Sequence, residues 1–145
     1  MIKNQFARYF IAVVVTYLIT VFLVSHLNTN SIVAMGVEIT LSDRLNTLWF
    51  DLFGMAMYYL PIVALSLVIA LALTNKILSG FFSKGAVVYA LAGFLGVAVM
   101  HLTLKHVFDL SVFVLTPALL GLLLQCLAGS IGGWVFYRIG QPEQD

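Results

Sequence analysis

Three histidines, His26, His101 and His106, and a few charged side chains, Glu38, Arg44, Asp51, Lys105 and Asp109, are the residues of this chain whose types could do chemistry. Imidazole and carboxylate together suit zinc, nickel or iron, which makes His26, Asp51, His101 and His106 a candidate metal set. Their spacing gives that reading little help, since neither an HxxxH nor an HExxH pattern occurs. A haem held between His26 and His101 would use two of the same side chains as axial ligands from different helices. Met55, Met57 and Met100 invite a copper reading, but methionine in an apolar helix is more often a gap-filler. The sequence predicts no cofactor. A plainer reading pairs Asp51 with His101 across two helices, with Lys105 one turn beyond His101 on the same face, so that the polar pair fixes helix register. Asp51 taken alone could instead be a proton-linked carboxylate. The single cysteine, Cys126, excludes an intramolecular disulfide, a dithiol redox pair and a Cys-rich zinc site.

These side chains are carried by 145 residues, of which 62% are hydrophobic and 9% charged, with a mean hydropathy of +1.07. Soluble domains average about 45–50% apolar and about 25% charged residues. The composition therefore excludes both a conventional soluble enzyme and a disordered chain. It predicts a single-domain, all-α integral membrane protein. A net charge of +1 gives no attraction toward nucleic acid, and the expected partner is the lipid bilayer.

Every Asp, Glu, Lys and Arg avoids four stretches, Tyr9 to Leu27, Leu52 to Asn75, Gly85 to Leu104 and Leu110 to Tyr137. About 20 helical residues cross a hydrocarbon layer about 30 Å thick. Continuous apolar runs without period-two alternation argue against a barrel, and backbone groups in lipid must be satisfied within the segment. Four transmembrane helices in an antiparallel up-down bundle follow, over 9–27, 45–75, 85–105 and 117–137, with an outer loop over 28–44. Small-x-small cleavage residues do not follow the first run, which is read as a retained helix rather than a signal peptide.

Lys3, Arg8, Lys76, Lys84 and Arg138 fall on one side of these spans and only Arg44 and Lys105 on the other. The first side is expected to be cytoplasmic, together with both termini. All three histidines then sit on the outer side, which is periplasmic in a Gram-negative cell. Trp49 near one face, and Trp134 with Tyr137 near the other, fit aromatic belts, and Phe81 and Phe82 between lysines read as a headgroup anchor. Ser42 before Asp43 and Arg44 reads as an N-cap. Pro61 predicts a bend near residues 57–61, and Thr116 with Pro117 reads as a cap and first-turn pair. The β-branched outer stretch over 31–40, with Gly36 at its centre, permits a small hairpin.

Helices in lipid associate through close packing and a few polar contacts. In the fourth span Gly121, Gln125, Gly129 and Gly133 recur every four residues, with Ala128 and Gly132 beside them. The third offers Ala92, Gly93 and Gly96. These faces are expected to meet each other or the first span, whose Val13, Val14, Val15 and Ile19 could fill the groove. The alternative is a homodimer seam. Gln125 reads as structural glue between helices, and Cys126 as a buried small hydrophobe.

The architecture resembles that of many small bacterial inner-membrane proteins with four helices and no soluble domain. The small multidrug exporters also have four spans, but their pattern places an acidic residue in the middle of the first, where this chain has Thr16, Tyr17 and Thr20. Three function classes remain. The foremost is a non-enzymatic structural or accessory component of a bacterial inner membrane, packing as a homo-oligomer or within a larger membrane complex. A transporter or channel subunit would use a polar path at Asp51, His101 and Gln125. A metal- or haem-binding protein would use the outer histidines.

Overall fold

The computed structural model describes residues 4–76, 85–108 and 118–141. They form α1 (Gln5–Ala34), α2 (Leu41–Gly54), α3 (Tyr59–Lys76), α4 (Ala86–Phe108) and α5 (Ala118–Gly140), with no strand among the described residues. Four of the helices are long and apolar enough to cross a membrane, over Gln5–Ala34, Tyr59–Lys76, Ala86–His106 and Leu119–Gly140. The expectations for Phe81, Phe82, Asp109, Thr116 and Pro117 lie outside the described residues.

α1 overruns its expected end. No glycine or proline interrupts Gln5–Ala34, and the polar residues after Leu27 satisfy themselves within the helix: Thr29 Oγ1 donates to the Ser25 carbonyl at 2.7 Å and Ser31 Oγ to that of Leu27 at 3.0 Å. The stretch expected as loop and hairpin is therefore helical as far as Ala34. The helix stops at the first residue able to turn left-handed, Gly36 with φ +88°. The amides of Met35 and Gly36 close the end on Ile32 and Val33. Thirty residues make α1 about 45 Å long, more than a hydrocarbon layer requires.

The N-cap of α2 is Thr40, two residues before the expected Ser42. Asp43 Oδ2 accepts from the Thr40 amide at 3.0 Å, and the Asp43 amide donates to Thr40 Oγ1 at 3.2 Å, a reciprocal capping box. Ser42 stands one residue from Asp43 and cannot close that ring, which needs cap and acid three apart. These bonds hold the Asp43 carboxyl below its ordinary value of 3.8. The expected continuous helix over 45–75 is divided by a turn at 55–58. Its flanks stay tied by Met55 N–H to the Asp51 carbonyl (2.9 Å) and Tyr59 N–H to the Met55 carbonyl (2.8 Å). Pro61 falls in the first turn of α3, where its missing donor would have no intrahelical partner. The bend it predicts thus takes the form of an interruption.

α5 packs on α4 and α1, α3 on α4 and α1, and α2 on α1. Val13 and Val21 of α1, Val63 and Leu67 of α3, Val97 of α4 and Phe136 of α5 are buried in the common core. The small-residue faces meet inside the chain. A Cβ on Gly93 would overlap the Gly129 carbonyl, and one on Gly133 that of Tyr89, so the α4 and α5 backbones touch directly. Gly132 receives Thr16 and Ala12 of α1, while a Cβ on Gly96 would lie 2.7 Å from that of Ala70 in α3. Gly121 is buried too. The α1 side chains that fill the groove are therefore Ala12 and Thr16. Of the expected four, Val13 is buried in the core, and Val14, Val15 and Ile19 are half-buried.

Candidate functional site

One buried polar node joins all four apolar helices. The Tyr59 hydroxyl of α3 donates to Gln125 Oε1 of α5 at 2.9 Å and lies 3.4 Å from His101 Nε2 of α4. Thr20 of α1 and Cys126 of α5 lie beside the same hydroxyl. Residue 59 opens α3 because the turn at 55–58 ends one helix there. Gln125 comes to the node because Gly129 and Gly133, one and two turns on, draw α5 against α4. Thr20 is one turn from Thr16, which the contact at Gly132 fixes.

The His101 Nδ1 atom is 2.9 Å from the Val97 carbonyl, so it carries a proton. Nε2 of the neutral ring is then an acceptor. The single phenolic proton of Tyr59 thus faces two acceptors, Gln125 Oε1 and His101 Nε2. Gln125 and Thr20 are 0% exposed; Gln125 Nε2 makes no hydrogen bond, and Thr20 Oγ1 has the Tyr59 hydroxyl as its neighbour. An unpaired buried amide donor costs about 1–3 kcal/mol, while an interhelical hydrogen bond in a membrane protein is worth about 0.6 kcal/mol. The node therefore specifies which faces meet more than it stabilises them. Counted along the helices from Arg8, Arg138 and Lys76, its members lie about 18 to 26 Å from the basic end, beyond the middle of a layer about 30 Å thick.

His101 and Gln125 thus come together through Tyr59. Asp51 has other neighbours: it is half-buried on α2, which packs on α1, and it interacts electrostatically with Tyr17. The Tyr17 hydroxyl in turn donates to the Leu52 carbonyl at 2.5 Å. His26 is exposed, stacked on Phe22 with centroids 6.3 Å apart, whereas His101 is buried against Tyr59. The two imidazoles therefore do not share a haem-like site. His106 and Lys105 are exposed in the last turn of α4. No three His, Cys, Asp or Glu side chains among the described residues converge on a metal-sized site. Met57 is exposed, Met55 packs at the edge of the core, and Met100 is buried.

A second polar cluster ties α1 to α5 at the basic end. Arg8 Nη2 donates to the Phe136 carbonyl at 3.0 Å, and the guanidinium sits 4.6 Å from the Phe136 ring centroid and against Gly140. A cation at that position complements the carbonyl end of α5. Nearby, Tyr89 packs on Phe136 and Tyr137 and donates to Asn75 Oδ1 at 2.5 Å. Arg138 lies 5.7 Å from the Trp134 ring centroid. Between the node and this cluster Val13, Leu67, Leu71 and Val97 are buried together with two hydroxyl side chains, Thr16 and Ser66.

The sequence reading missed Tyr59, Thr20 and the Arg8 contact. A signal for Thr20 was present, since Thr16 and Thr20 are four apart in an apolar run and so share one face. Tyr59 carried a weaker one, a phenol buried in lipid needing a partner. No family model, no curated protein and no solved structure matches this chain.

Proposed function

We propose that the chain is a non-enzymatic structural or accessory component of a bacterial inner membrane, crossing it four times in an antiparallel up-down bundle with both termini cytoplasmic. The observation that carries this reading is the node. Each apolar helix gives one polar side chain to a single buried point, the pattern expected of side chains that set helix register. The contacts support the course of the chain. Tyr59 meets His101 while Asn75 meets Tyr89, Gly93 meets Gly129 while Tyr89 meets Gly133, and Arg8 near the start of α1 meets Phe136 near the end of α5. Arg8, Lys76 and Arg138 gather at one end, which supports its cytoplasmic assignment.

The glycine faces are occupied within the chain, so a homo-oligomer or larger complex would use other surfaces. Extraction in mild detergent, followed by measurement of particle mass, tests the accessory role: a defined particle heavier than one chain is expected. A strictly monomeric particle with no partner counts against it.

A transporter or channel reading is favoured by one observation, the unpaired buried amide of Gln125, Nε2, in a node that also holds a titratable imidazole. Asp51 on the α1–α2 seam would mark its outer entrance. Solute or proton flux into reconstituted vesicles tests it. Flux unchanged by Asp51→Asn, His101→Ala and Gln125→Leu would remove this path.

A further inference from the structure

α2 contains no buried residue and packs on α1 alone among the described helices. Its outward side is unlike that of a helix lying against a bundle in water. The half-buried side toward α1 carries Leu48 and Leu52, which pack against the core, but also two charges: Arg44 Nη1 donates to Asn30 Oδ1 at 2.8 Å, and Asp51 interacts electrostatically with Tyr17. The exposed side carries Leu45 (60% exposed), Trp49 (63%), Phe50 (76%) and Phe53 (59%). A soluble helix turns such residues inward and its charges outward, and a contiguous aromatic patch on a surface marks an interaction site.

The polarity also changes along the helix. The exposed polar side chains, Ser42, Asp43 and Asn46, all stand in its first two turns, and beyond them the exposed side chains are apolar. The same axis runs along α1 from Asn30, which meets Arg44, to Tyr17, which meets the Leu52 carbonyl. The polar turns are therefore level with the overhanging end of α1, and the aromatic turns with its apolar middle. In that stretch of α1, Leu18 (46% exposed) and Phe22 (57%) are exposed as well.

From this we infer that α2 is a half-helix sunk in the outer leaflet, with its Leu45, Trp49, Phe50 and Phe53 face covered by lipid acyl chains. The inference rests on the membrane-spanning reading above. Acyl chains are the occupant that a two-fold gradient selects, apolar outward and increasingly apolar with depth, because a bilayer changes in this way from headgroup to hydrocarbon. In this position α2 shields the Arg44, Asp51 and Tyr17 seam from lipid.

The full chain carrying Trp134→Phe, reconstituted in phosphatidylcholine vesicles, leaves Trp49 as its one tryptophan. Phospholipid brominated along the acyl chain is expected to lower Trp49 emission about twofold or more, while aqueous iodide changes it little. Strong iodide quenching with little effect of bromine would overturn the inference, leaving α2 in water. Protection from both quenchers would also overturn it, since protein would then cover the face. Should Trp134→Phe fail to fold, the difference in emission between the native chain and Trp49→Phe gives the same readout. Retention in the vesicles after an alkaline carbonate wash tests the spanning reading separately, because α3, α4 and α5 hold the chain in the bilayer wherever α2 lies.

Discussion

Replacing Gly93 by alanine should separate α4 from α5. The added methyl would overlap the Gly129 carbonyl, with the Gly133 amide nitrogen only 3.2 Å away. Backbone cannot rotate aside as a flexible side chain can, so the two helices must part by about 1 Å. A gap of that size forfeits about a quarter to a half of the dispersion energy at each contact it opens. Overpacking of this kind costs about 1–3 kcal/mol, against a helix-propensity gain for alanine over glycine of no more than about 1 kcal/mol. A net loss of about 1–2 kcal/mol is expected. Gly54→Ala is the matched control, because a Cβ there meets nothing within 4 Å and the change should stay within about 0.5 kcal/mol. Reversible unfolding of both variants in mixed micelles, followed by circular dichroism, reads the difference. If Gly93→Ala is as stable as the native chain but changes particle mass, the glycine faces are a seam between copies and the intra-chain packing argument is wrong.

The node makes a prediction of its own. Tyr59→Phe leaves Gln125 Oε1 without its donor and should cost about 1–3 kcal/mol. Gln125→Leu removes an unpaired buried donor along with the acceptor, so it should cost less in the same unfolding assay; equal losses would mean that the bonds are not shared as described. Arg8→Lys should not restore the stability lost in Arg8→Met, because an ammonium lacks the planar fork that binds the Phe136 carbonyl while lying over its ring. A melting temperature for Arg8→Lys equal to that of the native chain would count against this contact. Finally, Asp43 has its carboxyl depressed in the folded state. Its contribution is fully present above the ordinary value of 3.8 and is lost as the pH falls through the lower folded value. Amide hydrogen exchange in the first turn of α2 should therefore accelerate, after correction for intrinsic rates, only below about pH 4, and Thr40→Ala should remove that step. A step that persists in Thr40→Ala would assign it to another group.

Much of the fold is legible in the sequence because lipid imposes one rule on every residue. Four charge-free runs must each satisfy their own backbone, and helices follow wherever such runs are long enough. Pro61 announced a bend, though not the full interruption at 55–58, and the spacing of Gly93, Gly129 and Gly133 announced a close approach, because both effects depend on backbone sterics that travel with the residue. The end of α1 was less legible. Asn28–Ala34 has a loop-like composition, but its hydroxyls can bond carbonyls four residues back, and the sequence does not show whether they will.

The site was harder to read, for a different reason. Asp51 and His101 could each be assigned a depth, but a partner is fixed by the rotation of each helix about its axis, and that rotation is set by packing. The glycine contacts of α5 turn Gln125 toward Tyr59, the turn at 55–58 places Tyr59 at the head of α3, and the packing of α2 on α1 brings Asp51 near Tyr17. From the sequence alone came the medium, the number of apolar helices and the residues with small faces. Only the tertiary structure decided which polar groups meet, because burial in lipid constrains a whole segment while a hydrogen bond depends on a few ångströms and degrees that the entire bundle determines.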